Sequence, residues 1–160
     1  MKKYLFAIIA FFAFAGIAMA HQITANPFTT ESGSGSLRIQ VYNNSTSTLD
    51  VGDVVVWDID ASTGDNDLWV TTTTTADTAL VAGVVYPRAI SAGQVGEIAI
   101  YGLAECDLGS IVTPESAPLC TSTTAGAGDS CNAATSGYSY ATTTVAGAAS
   151  EQVGCFVKVQ

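Results

Sequence analysis

Ala79-Leu80-Val81-Ala82-Gly83-Val84-Val85-Tyr86 is apolar along almost its whole length, and Pro87 follows it at once. A strand with one face in water alternates apolar and polar residues, whereas one covered on both faces has no reason to alternate. The run therefore reads as a central strand, ended by a residue that cannot donate to a sheet ladder. A strand buried on both faces needs further strands around it, and the flanking sequence supplies them.

Upstream, Val54 to Ile59 places Val55, Trp57 and Ile59 on one face and Val54, Val56 and Asp58 on the other. Before it, Leu37, Ile39 and Val41 alternate with Arg38, Gln40 and Tyr42, the period of a half-buried strand, and Asn43-Asn44-Ser45-Thr46 turns the chain. Leu68 to Thr75, with Trp69, Val70 and five threonines, favours a strand by its β-branched content. Downstream, Ser91-Ala92-Gly93-Gln94 is a turn, and Ile98, Ile100 and Tyr101 start a strand that reaches Cys106. Pro114 and Pro118 interrupt the stretch from Asp107 to Gly137, in which Leu119 to Thr121 forms at most a short strand and Gly126 to Asp129 a turn. Val153, Cys155, Val157 and Val159 alternate with Gly154, Phe156, Lys158 and Gln160 in a closing strand. No segment after residue 20 carries a helical period with caps. The expected fold is an all-β, compact single-domain sandwich or barrel over residues 37–160, with a Thr-rich exterior and an extended N-terminal arm.

The segments before this domain read differently. Lys2 and Lys3, the uncharged stretch Leu5 to Ile17, and Ala18-Met19-Ala20 have the layout of a secretory signal peptide, residues 1–20, with cleavage after Ala20. A secreted protein, extracellular or at the cell surface and with no stable membrane span once the leader is removed, is the expectation. Residues 21–36 end in Ser32-Gly33-Ser34-Gly35-Ser36, a flexible-linker composition. His21 to Glu31 then reads as an arm tethered to the domain. Ile23, Pro27 and Phe28 are its candidate assembly contacts, with Pro27 restricting it to edge pairing or a bent course.

Charge narrows the partners. Beyond position 20 three basic residues, Arg38, Arg88 and Lys158, stand against fourteen Asp and Glu. Nucleic acid is excluded as a partner, because a phosphate backbone demands Lys/Arg clusters. Anionic membrane surfaces are disfavoured for the same reason. The abundance of Thr, Ser, Ala and Gly suits contact between copies, since charges at an interface core must be desolvated.

Four cysteines in an exported chain read as disulfides, and four allow three pairings. Cys120 with Cys131 would join two sides of a hairpin around Gly126, and Cys106 with Cys155 would tie a mid-chain strand to the last one. Zinc fails on spacing, because no C-x-x-C pair exists. His21 is the sole histidine, so Ser-His-Asp and Cys-His catalysis lack a base, and a copper site at a mature N-terminus lacks its second imidazole. No catalytic residues are assigned and an enzyme is not expected. Asp58, Asp60, Asp65 and Asp67 surround one loop and form a candidate calcium site, no other cofactor being indicated. The same residue types also serve as ordinary turn formers in an acidic hairpin, and both readings stand. Trp57, Trp69, Tyr42 and Tyr101 form a candidate glycan-stacking platform, against plain packing. Asn43 and Asn44 each begin an N-glycosylation sequon.

Leu49-Asp50-Val51-Gly52-Asp53-Val54-Val55-Val56-Trp57, then Thr71 to Asp77 leading into Leu80-Val81-Ala82-Gly83-Val84-Val85, resembles the small β-barrel modules of tailed-phage capsid decoration and related virion surface proteins. Ala92-Gly93-Gln94-Val95-Gly96-Glu97-Ile98-Ala99-Ile100-Tyr101-Gly102 is similar to their turn-strand phrase, and Val153 to Val159 to their closing strand. The resemblance covers most of residues 49–160 and implies a repeated β-barrel building block with no catalytic residues to carry over. The leader and the cysteines depart from that pattern. The leading expectation is an exported, non-enzymatic structural subunit that self-assembles with other copies of itself into an extracellular filament, sheath or surface layer. The alternatives are a secreted glycan-binding or adhesive module, and a phage-derived virion decoration protein.

Overall fold

The computed structural model describes residues 28–30, 35–59, 68–112, 117–131 and 139–159. These contain ten strands and no helix: β1 Phe28–Thr30, β2 Leu37–Asn43, β3 Val54–Trp57, β4 Trp69–Thr71, β5 Val81–Val85, β6 Val95–Asp107, β7 Pro118–Thr121, β8 Gly128–Ser130, β9 Ala141–Thr143 and β10 Gln152–Lys158. In the sheet they are ordered β1-β2-β4-β3-β5-β6-β10-β9-β7-β8, and a further pairing of β2 with β6 closes β2-β4-β3-β5-β6 into a five-stranded barrel. The all-β expectation holds, in its barrel form with an added lobe.

The central strand decides this arrangement. All five residues of β5 are buried. A β-bulge between Val55 and Val56 of β3 sets Val56 opposite Val81 while Val55 lies opposite Gly83, so β5 gains one residue over its partner. Val81 and Val84 thereby join Val54 in one core, while Ala82 and Val85 join Val55 in another. The second of these fills the barrel together with Ile39, Val41, Leu49, Val70, Ile90 and Ile98. The first lies between the outside of the β3–β5 ribbon and the added lobe, where it collects Ala104, Cys106, Leu119, Tyr140, Val153, Cys155 and Val157. One apolar ribbon thus serves as wall to both cores.

β6 is long enough to serve both as well. Its first half pairs with β2 and β5, and from Tyr101 onward it pairs with β10, Tyr101 against Lys158 through Asp107 against Gln152. The change of partner comes at Gly102, whose φ of +102° L side chains rarely adopt and whose missing Cβ leaves room for the Gly35 carbonyl. The end of the linker crosses the barrel there. Phe28–Thr30 of the arm pairs antiparallel with Leu37–Ile39 of its own chain. Because β6 holds the opposite edge of β2, β1 lies on the edge that β4 joins further along, at Tyr42 and Asn43.

One strand is shorter than its β-branched content predicts. β4 ends at Thr71, and the following threonines bend across to the added lobe, where Thr121 Oγ1 donates to the Thr75 carbonyl at 2.9 Å and accepts from the Thr78 N–H at 2.9 Å. Thr propensity favours a strand, yet these residues satisfy their backbone through side-chain bonds. Arg38 is the other surprise: alternation put it on the polar face, and it is 1% exposed. Its Nη1 donates to Glu97 Oε2 at 2.9 Å, the kind of pairing that burial of a charge requires.

Cys106 is joined to Cys155 and Cys120 to Cys131, with Cα–Cα distances of 5.9 and 4.9 Å. The first bridge closes a separation of 49 residues inside the lobe core, the second one of 11 residues around the β7–β8 hairpin. Loop-closure entropy assigns about 4 kcal/mol to the long loop and about 3 to the short one. Replacing Cys106 and Cys155 together by Ala should therefore lower unfolding free energy more than replacing Cys120 and Cys131. Denaturant titration of both double variants checks this, and the reverse order would contradict it. Gly83→Ala should also destabilise, by about 1–3 kcal/mol, because its Cβ would meet the Ala99 carbonyl oxygen at 2.5 Å and backbone cannot move aside as a side chain can.

Candidate functional site

Three surface features could contact something else. At one end of the barrel a groove of about 490 Å³ is lined by apolar side chains, among them Leu37, Trp57, Leu68, Ile100 and Tyr101. A more polar cleft of about 470 Å³ runs past Arg38, Gln40, Arg88 and Glu97. On the outside of the added lobe, Tyr101, Leu103 and Phe156 point away from the core and stay 51%, 53% and 37% exposed. Tyr101 and Phe156 meet edge to face with ring centroids 5.1 Å apart. Strand period forces this: Gly102, Ala104 and Cys106 alternate inward, so Tyr101, Leu103 and Glu105 must face outward.

The four aromatic residues considered for glycan stacking are not one platform. Tyr42 and Trp69 pair with centroids 5.4 Å apart on neighbouring strands β2 and β4, while Trp57 packs against the barrel core and Tyr101 contacts Phe156. Of the candidate calcium ligands, Asp58 accepts a 2.6 Å hydrogen bond from Asn44 Nδ2. Asp60, Asp65 and Asp67 lie outside the described residues, as do Ile23 and Pro27 of the arm and His21. Among the described residues no group of three or more His, Cys, Asp or Glu is placed to hold a metal ion. Phe28 is in β1, opposite Ile39. Asn43 does not fit an acceptor of glycan: it is fully buried, its Nδ2 donating to the carbonyls of Ser47 at 2.9 Å and Ile90 at 2.8 Å, and its Oδ1 accepting from the Ser45 N–H. That amide fastens the β2 turn to the segment before Ser91, a turn role that Asn commonly plays. Asn44 is exposed.

All four cysteines are in disulfides, leaving no thiol. Among the described residues the most perturbed carboxyl is Asp53, which sequence reading did not single out. It stands in the turn before β3, where its Oδ2 accepts from the Asp50 N–H at 2.7 Å and its carboxyl packs against Gly126 of the added lobe. Burial pushes its pKa up to about 6, partly countered by that hydrogen bond and reinforced by the charges of Asp107 and Asp50. Asp107 is also raised, first by burial, with the Gln152 amide at 3.0 Å opposing the shift. A carboxyl tuned to about 6 can serve as a general acid, but neither described groove includes Asp53. Its neighbours are junction backbone: Val54 N–H donates to the Gly126 carbonyl at 2.7 Å and Asp107 N–H to the Gly52 carbonyl at 3.0 Å. The turn Asp50–Asp53 therefore ties barrel to lobe. Deeper in the lobe the Tyr140 hydroxyl has its pKa raised, mainly by full burial and then by Asp129 and Asp107.

No family model matches the chain, and no curated protein matches it by sequence. Among solved structures, the N base of the head fibre protein gp8.5 of bacteriophage phi29 is similar over 77% of this chain and 96% of that one, with a TM-score of 0.53 and 12% identity. At that identity the likeness establishes a shared fold.

A carboxyl whose folded pKa exceeds its unfolded value binds its proton more tightly in the native state, so stability is lost as pH rises from the usual carboxylate range to about 6. Asp53→Asn mimics the protonated carboxyl and keeps an oxygen for the Asp50 N–H. The variant should match the parent in thermal stability near pH 4 and exceed it at pH 7 to 8. A difference between the two proteins that does not change with pH would refute the assignment.

Proposed function

We propose that the chain is a non-enzymatic structural subunit, exported by residues 1–20 and used in many copies outside the cell, as a filament, sheath or surface layer. The observation that carries this reading is the likeness of most of the chain to the base of a phage head fibre. Two further features support it. Both disulfides suit an oxidising compartment. The outer surface also keeps large apolar side chains in water, as subunits that meet one another do. The fibre likeness equally supports a second reading, a phage-derived virion surface protein, which the leader-like residues 2–20 set apart from the first.

The arm supplies a route from subunit to polymer. In the single chain, β1 occupies the edge of β2 beside Leu37–Ile39. Exchange of that strand between copies would keep the pairing and join one domain to the next, with the Ser/Gly linker spanning the gap. A run of such exchanges gives an open, head-to-tail assembly.

Expression of the full chain in a bacterium that exports proteins should yield protein outside the cytoplasm whose first residue is His21, and electron microscopy of it should show regular particles or filaments. Retention in the cytoplasm with an intact N-terminus would remove the export reading and favour the virion one. Only monomers at high concentration would remove the multi-copy reading. Deleting residues 21–31 behind the leader should shorten or abolish the assemblies and lower their melting temperature. Assemblies of unchanged length and stability would show that the arm is not the connector.

A further inference from the structure

The outward face of the β6–β10 ribbon has an order that its composition alone does not suggest. Register places Tyr101 opposite Lys158, Leu103 opposite Phe156, and Glu105 opposite Gly154. Along the strands the face therefore begins with a cation, passes through an aromatic and aliphatic centre, and reaches a carboxylate beside a residue without a side chain, beyond which Asp107 pairs with Gln152. Tyr101 to Glu105 spans about 13 Å at ~3.3 Å per residue. The cation is notable in this chain, because of the three basic residues after position 20 Arg38 is buried, leaving Lys158 and Arg88 exposed among fourteen acidic groups.

We propose that this face binds the same face of a second copy of the chain, through a two-fold axis lying between the two sheets and perpendicular to their strands. The proposal rests on the multi-copy reading above and assigns the surface it uses. Such an axis reverses strand direction, so the Lys158 end of each copy meets the Glu105 end of the other. A two-fold axis parallel to the strands would instead set Lys158 ends together. Under the perpendicular axis Leu103 and Phe156 stack on their own counterparts at the centre. Each Lys158 lies over Gly154 of the other copy, and its ammonium is brought beside Glu105, the residue paired with that glycine. The Thr144 hydroxyl borders the position a Gly154 side chain would take, giving the incoming lysine a polar neighbour. Self-complementarity of this kind is what an isologous contact requires, with an apolar centre and opposite charges at its two ends. A sugar ligand stacking on Tyr101 and Phe156 would give the two charges no such relation.

The test uses protein recovered from cells expressing the full-length chain, with both disulfides formed, in sedimentation velocity over a range of concentrations. The parent should associate. Phe156→Ser and Leu103→Ser should weaken association, and so should Lys158→Glu and Glu105→Lys singly, each by about tenfold or more because symmetry converts two attractive pairs at once. Lys158→Glu combined with Glu105→Lys should restore it, a rescue that general loss of folding or of charge cannot produce. All four substitutions are on exposed positions, and circular dichroism of each variant verifies the fold. Assemblies that persist unchanged in every variant would overturn this surface while leaving the multi-copy reading intact. A parent that stays monomeric at all concentrations would overturn both. Failure of the double reversal to restore association, or protection of Tyr101 fluorescence by polysaccharide with no self-association, would also overturn the contact.

Discussion

Burial of the β3–β5 ribbon on both faces is the constraint from which the rest of the architecture follows. Valines on alternate sides of a strand must each find an apolar partner, and a barrel supplies partners on one side only. The added lobe exists to cover the other side. It does so with the far half of β6 and with β10, β9 and β7, whose inward residues meet Val54, Val81 and Val84. The bulge at Val55–Val56 makes the division work, since without the extra residue Val81 and Val84 would face opposite sides. Removing the lobe would leave a stripe of valine in water.

Two kinds of fastening hold the lobe together and to the barrel. The covalent kind is internal to the lobe: Cys106–Cys155 links β6, which is common to both halves, to β10, and Cys120–Cys131 pins the outer hairpin. The noncovalent kind is the turn from Asp50 to Asp53, whose backbone bonds Val85 and Asp107, continued by the Val54 N–H, which donates to the Gly126 carbonyl. Close approach at Gly52 and Gly126 admits the carboxyls of Asp107 and Asp53 where a Cβ would exclude them. Burial first, and then the neighbouring acidic charges, raise the pKa values of Asp53 and Asp107 there, and the fold tolerates that cost at the junction because backbone hydrogen bonds hold the turn.

The surface follows a different logic from the interior. The chain is strongly acidic overall, yet it presents apolar groups on the outer face of β6 and β10 and at the barrel end. In our proposal these are the surfaces on which copies meet, and the disulfides suit the oxidising compartment that the proposal requires.

Much of the fold was legible in the amino-acid order because strand period and continuous burial are local signals. The doubly buried run ending at Pro87, the alternation of Leu37 to Val41, and the closing strand at Val153 all announce their faces without reference to neighbours. What local signals do not carry is which strands meet. Closure of β2 on β6, the handover of β6 from β2 to β10 at Gly102, and the burial of Arg38 against Glu97 depend on contacts between residues far apart in sequence. Asp53 looked like an ordinary turn residue, and only its packing against Gly126 and Asp107 raises its pKa. The pairing of Lys158 with Tyr101 and of Glu105 with Gly154 is likewise a matter of register, which no single strand contains. By itself the sequence determined that the domain is all-β, with a central strand buried on both sides, since hydrophobic period is written residue by residue. Tertiary structure alone decided the barrel closure, the second core and the ordered outer face, because those arise where separate strands are brought together.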